Sequence, residues 1–136
     1  MEAELRQAIA PAKVAPRQSW REVVFTVKEA RRALPYVARL AADAADAYRI
    51  VNESREALGQ IAASADRQLR HTLCEQRDHA LRRLDSAIDD CEGVGAHLVD
   101  INAGLVCLPG EIEERPVCLL WRVGEDVVDA WCDLTA

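Results

Sequence analysis

A chain of 136 residues that is half hydrophobic and 29% charged can bury a core as one domain without disulfide or metal staples, which excludes disorder. Aromatic residues make up only 4%, so a core of Ala, Leu and Val suits close-packed helices better than a β-sandwich. The net charge of −6 falls wholly in residues 93–136, which hold eight acids and two bases, and that surplus excludes nucleic acid as an expected partner. No apolar run approaches the ~18 residues of a membrane span, and MEAELRQAIAPAK lacks the pattern of a secretory leader. The five cysteines are odd in number and contain no CxxC pair, which predicts reduced thiols and a cytoplasmic location.

Residues 1–20 read as an N-terminal arm, with a turn or two of helix around Leu5 and Ile9 broken by Pro11 and Pro16. Arg21–Thr26 reads as a short strand from its β-branched and aromatic residues. Thr26 with Glu29 three residues later has the spacing of a capping box and opens a helix. Pro35 then either kinks that helix or ends a short one over 27–33 and begins another.

From Pro35 to Cys91 the only glycine is Gly59, and apolar residues recur at helical spacing. Val37, Ala41, Ala44, Tyr48, Val51, Leu58 and Ala62 share one seam, widened by Leu40, Ala47 and Ile61, with Arg55 the discordant member. A break is predicted within Gly59–Asp66, with Ser64 or Asp66 as the next N-cap. Leu69, Leu73, Gln76, Ala80, Leu84, Ala87 and Cys91 then line one face of a second helix, ended by Gly93 and Gly95. Two helices of roughly 27 residues, about 40 Å each at 1.5 Å per residue, form an antiparallel hairpin over about 27–92. Such a hairpin buries one seam and needs a further surface, the C-terminal segment, a second copy of the chain or both; a homodimer, a four-helix bundle built from two copies, is the expectation.

After Gly95 the period becomes two-fold. His97–Ile101, Leu105–Ile112, Pro116–Val123 and Val127–Cys132 read as strands, with turns at Glu113–Arg115 and Gly124–Asp126. Val117, Leu119, Trp121 and Val123 share one face, while Cys118, Leu120 and Arg122 share the other. The expected fold is α+β: a single domain over 21–136, with the helical hairpin packed on a C-terminal antiparallel sheet of three to five strands spanning about 96–133.

FTVKEARRALPYV, the helical hairpin, and GLVCLP with RPVCLLWRVGEDVVDAWCDL together resemble the DUF2203 family of small proteins without a known function. Phe25, Thr26, Glu29, Ala30, Leu34 and Pro35 match its opening FT-x-x-EA-x-x-x-LP segment. Gly104, Leu105, Val106 and Pro109 match a GLVDFP tract; Trp121, Arg122, Gly124 and Glu125 match LCWRLGE; Trp131 and Asp133 match WHD. Cys107 stands where the family pattern has Asp and Cys132 where it has His, so a site built on those two groups is altered here. Relatives are expected to continue past Ala136. The resemblance implies a fold and no mechanism.

Three groups of residues carry possible chemistry. His71, Cys74, Glu75, Asp78 and His79 lie at metal-ligand spacing on the second helix, but the helical wheel turns His71, Glu75 and Asp78 away from the seam, so a solvated face is the plainer reading. His97, Cys107, Cys118, Cys132 and Asp133 fall on neighbouring strands, where three could hold zinc or a thiol could act as nucleophile; buried cysteines packing as small apolar groups is the plainer reading. Trp121 and Arg122 could offer a stacking plane and an anion or partner contact, against a buried indole and a turn glycine. No catalytic or cofactor-binding signature is present. The function expected is a non-enzymatic interaction or scaffold protein that self-associates, with a metal- or thiol-dependent site on the sheet as the alternative.

Overall fold

Thr26 sets where the first helix begins. Its hydroxyl accepts the Glu29 amide at 3.0 Å, and Glu29 Oε1 accepts the Thr26 amide at 2.9 Å, the reciprocal bonds of a capping box. Those bonds hold the Glu29 carboxyl below its ordinary range. The structure is a computed structural model and describes residues 5–8, 11, 13–16, 23–61 and 66–134.

Helix α1 runs unbroken from Val27 to Gln60, 34 residues, with Pro35 inside it. Residues 27–33 are therefore not a separate helix, and α1 is longer than the roughly 27 residues the periodicity predicts. Pro35 is exposed. Its missing amide and its ring face water rather than the seam, which lowers the cost of a proline inside a helix. Nearby, the Arg31 guanidinium donates to Val128 O at 3.2 and 3.3 Å, tying the first turns of α1 to the sheet.

Helix α2, Arg67–Gly93, starts on Asp66, whose Oδ1 accepts the Gln68 amide at 2.9 Å. Ser64, the other N-cap candidate, lies outside the described residues. The end of α2 is a Schellman motif. Ala96 N–H donates to Cys91 O at 3.1 Å, Gly95 N–H to Glu92 O at 3.0 Å, and Gly95 takes the left-handed φ of +91°.

The helices pack antiparallel along alanine. α1 buries Ala30, Leu34, Val37, Ala41, Ala44, Ala47, Val51 and Ser54, and α2 buries Ala80, Leu84, Ala87 and Cys91. The predicted seam holds at Val37, Ala41, Ala44 and Val51, with Ala47 on its widened edge also buried, whereas Ser54 is buried in place of Arg55, and Tyr48 and Leu58 are half-buried. Ala62, its last predicted member, lies outside the described residues. Small residues at Ala47 and Ser54 let the helix axes approach, and Arg55 is left in solvent. On the flank, Arg83 bridges from α2 to Asp43 and Asp46, and Arg49 joins Asp46 at 2.6 Å and Glu53 at 3.1 Å.

Four strands follow: β3 (His97–Asp100), β4 (Leu105–Ile112), β5 (Arg115–Arg122) and β6 (Ala130–Leu134), each antiparallel to the next. The last begins three residues after the predicted Val127, because Val128 turns into the helix-facing core instead. Ile112 pairs with Arg115 around Glu113 and Glu114, which have φ of 53° and 65°, the type I′ geometry of a two-residue loop.

The arm differs from its expected helical turns. Arg6–Gln7 (β1) and Lys13–Val14 (β2) each add parallel to the outer edge of β6, so the sheet is mixed rather than purely antiparallel. Ile9 lies outside the described residues, as do Arg21 and Glu22 of the predicted Arg21–Thr26 strand. The rest of that strand shrinks to a single parallel bridge, Phe25 to Gly110, where Phe25 N–H donates to Pro109 O at 2.7 Å. That bridge takes the edge of β4 beyond the point where β3 stops pairing at Cys107. A side chain on Gly110 would meet the Phe25 carbonyl and Leu119 there.

Strand alternation gives the sheet two buried faces. Leu98, Val106, Leu108, Val117, Leu119 and Trp121 pack on the helices, the face predicted for Val117, Leu119 and Trp121, whereas Val123, predicted with them, lies past the end of β5 and is exposed. Leu105, Cys107, Cys118, Leu120 and Cys132 form a second cluster on the opposite face, with Val14 and Ala8 of the arm packed into it.

Candidate functional site

The second face carries the cysteines in a row. Cys118 on β5 sits directly opposite Cys132 on β6, and Cys107 lies two residues along β4 from Pro109, the cross-strand partner of Cys118. His97 on β3 stands opposite Cys107. Directly paired residues of antiparallel strands project to one side, so His97, Cys107, Cys118 and Cys132 cross the sheet together. None is more than 1% exposed. Asp133, the remaining candidate, is next in sequence to Cys132 and alternates to the other side, opposite Val117, where it meets Arg115 at 3.5 Å.

Burial sets the chemistry of these thiols. It pushes Cys118 far above its ordinary value, and the adjoining Cys107 and Cys132 thiols add to the shift. Cys132 is raised as well, chiefly by burial. Cys91, in the helix–sheet core, is pushed up to about 11 by burial and then by Asp90 and Glu92. A nucleophile or a zinc ligand must be a thiolate, and this environment favours the thiol. Among the described residues no three His, Cys, Asp or Glu side chains are disposed to hold a metal ion. On α2, His71 Nε2 lies 3.2 Å from Glu75, both exposed, on the solvated face the helical wheel predicts.

Trp121 and Arg122 part company. The Trp121 indole is 3% exposed on the helix side, and its Nε1–H donates to Glu125 O at 2.9 Å. It offers no free plane for stacking. Arg122 alternates to the second face, where its backbone N–H donates to Glu125 Oε1 at 2.7 Å.

Elsewhere, the far end of the hairpin opens a groove of about 430 Å³, lined by Ile50, Ser54, Leu73 and Ala80 with Glu53, Gln76, His79 and Arg83 at its rim. Sequence periodicity placed Leu73 and Ala80 on the seam, but it missed Ile50 and Ser54. The spacing of Ser54 from Ala47, seven residues, was the available signal.

Residues 23–136 match the family model of an uncharacterized conserved protein, DUF2203. The chain belongs to the DUF2203 family. No curated protein and no solved structure matches it. The DUF2203 tracts of this chain each build a corner of the fold. Thr26 and Glu29 form the helix cap, and Phe25 bridges to Gly110. Gly104, at φ +66°, accepts Val123 N–H at 3.0 Å and leaves no room for a side chain beside Val123. Trp121 and Arg122 are both fastened to Glu125, one to its carbonyl and one to its carboxylate. Cys107 and Cys132 both fall in the buried thiol row, with Cys118 between them.

Proposed function

We propose that this chain is a non-enzymatic interaction protein of the cytoplasm, which pairs with a second copy of itself through the far half of its hairpin to make a four-helix bundle. One observation carries the reading: α2 buries nothing before Ala80, although Leu69 and Leu73 precede it on the same face. Leu69 is 45% exposed and Leu73 half-buried beside the 430 Å³ groove. Helices are stabilised mainly by the apolar face they bury, and among the described residues this segment packs on its hairpin mate alone. A second copy suits the surface because both signs of charge stand at the groove, Glu53 on α1 and Arg83 on α2. A two-fold axis can set one against the other.

Light scattering on the eluting protein is expected to give twice the 15.1 kDa chain mass, and Leu73→Asp to give the single-chain mass with its helical circular dichroism retained. Wild-type protein eluting at the single-chain mass at high concentration would sink the proposal.

The row of His97 and three cysteines on one face suits a second reading, a zinc- or thiol-dependent site on the sheet, although among the described residues no three of them are disposed to hold a metal ion. The burial of the thiols, which raises Cys118 and Cys132 above their ordinary values, weighs against it. With a thiol reagent, native protein is expected to show one reactive cysteine, the half-buried Cys74, and all five after denaturation. Purified protein with equimolar zinc, lost in Cys132→Ser, would instead establish the second reading.

A further inference from the structure

The second face ends, beyond the thiol row, in a concavity of about 650 Å³ that the thiols do not enter. Strand register builds its floor. Arg6 pairs with Ala130 and Ala130 with Leu120 in one row across β1, β6 and β5, while Leu105 pairs with Arg122 in the next. Leu105 and Leu120 are 7% and 4% exposed, and Ala8 and Ala130 complete an apolar base.

The rim is polar and carries both signs. Arg6 is already matched, its Nη2 lying 3.1 Å from Asp129 Oδ1. The Arg122 guanidinium has no ion pair among the described residues, although it is exposed at the rim. Glu125 is held in place because its Oε1 accepts the Arg122 backbone N–H, which leaves Oε2 without a partner among the described residues. One cation and one anion therefore stand side by side above an apolar floor. A simple anion would be repelled by Glu125 and by the acidic surplus of this part of the chain, and a simple cation by Arg122.

We infer that this concavity binds a zwitterionic α-amino acid with a large apolar side chain: its carboxylate on Arg122, its ammonium on Glu125 Oε2, its side chain on Leu105, Leu120 and Ala130. Guanidinium–carboxylate pairing is the strongest polar contact available there. A concavity of this size lies in the usual range for a small-molecule site, with few polar groups over an apolar lining. The site is on the opposite side of the sheet from the helices, so it does not depend on self-association.

The test is a titration of the full chain with L-phenylalanine, followed by two-dimensional amide NMR. Saturable shifts are expected at Arg122, Glu125 and the Trp121 indole N–H. 3-Phenylpropionate, which lacks the ammonium, and phenethylamine, which lacks the carboxylate, should each bind at least roughly tenfold more weakly, as one lost charged contact requires. Arg122→Gln and Glu125→Gln should each weaken phenylalanine to a similar degree with an unchanged melting temperature, since the side-chain carbonyl of the glutamine in Glu125→Gln can still accept the Arg122 amide. Leu73→Asp should bind as wild type, which separates this result from the oligomeric one. Three outcomes would overturn the assignment: no saturable shift at ~10 mM, phenylpropionate binding as well as phenylalanine, or Arg122→Gln binding unchanged.

Discussion

Replacing Trp121 with alanine is expected to destabilise the fold by about 3–5 kcal/mol, the usual cost of deleting a large buried aromatic side chain. For a chain of this length that corresponds to a melting temperature lower by roughly 10–20 °C. The indole is 3% exposed and packs in the cluster that joins the helices to the sheet. Its removal therefore empties space between two rigid layers, neither of which can collapse without moving the other. The same change removes the donor to Glu125 O and loosens the segment that closes β5. Trp121→Phe keeps most of the ring volume and loses only that bond, so it should cost about 1–2 kcal/mol. Chemical denaturation of the three proteins, fitted with a common slope, checks the order. A Trp121→Ala protein as stable as Trp121→Phe would mean the indole is not the wedge described.

The second large effect belongs to Gly95. Alanine there should cost about 2–4 kcal/mol, from the left-handed conformation and from overpacking together. Gly95 holds φ +91° as the C′ residue of the α2 Schellman motif. An added Cβ would lie 2.7, 2.8 and 3.0 Å from three carbons of Val23. Either strain alone could be relieved by unwinding the last turn, but that turn carries Cys91, buried in the core. Gly59→Ala is the matched control. Gly59 lies inside α1, and a methyl group added there has nothing within 4 Å, so alanine should stabilise the helix by about 0.5–1 kcal/mol. Thermal melts of the two variants should move in opposite directions, and equal shifts would refute the role given to the Schellman turn.

Local chemistry made much of this fold readable. The Thr26–Glu29 cap, the Asp66 start, the glycine end of α2 and the two-fold alternation of β5 each depend on residues within a few positions of one another. What escaped was set by distant partners. Arg6–Gln7 and Lys13–Val14 have no strand signature of their own; they are strands because the edge of β6 offers them unpaired amides and carbonyls. Arg21–Thr26 has the right residues for a strand, yet among its described residues only Phe25 finds a vacant length of β4. Pro35 reads as a helix breaker until its exposure is known. The site followed the same rule. His97, Cys107 and Cys132 were legible because strand alternation places them on one face, and Asp133 fell away by the same alternation. The Arg122–Glu125 rim needed Arg6 and Ala8 from the far end of the chain, which no local pattern connects to it.

The parallel docking of the arm on β6 also orders events in time. The hairpin and the β3–β6 meander are built from neighbours in sequence and can form as the chain emerges from the ribosome. The arm cannot join them then. Arg6 meets Asp129 across a separation of 123 residues, so this contact waits until β6 has been synthesised. Closing so long a loop carries an entropic cost that only a preformed β6 edge can repay. Until that strand is complete, its edge and the thiol face beside it lack the Val14 and Ala8 packing seen in the finished molecule. The arm's two short strands are therefore expected to dock last and release first, with amide exchange at Gln7 and Val14 faster than in β5 as the check.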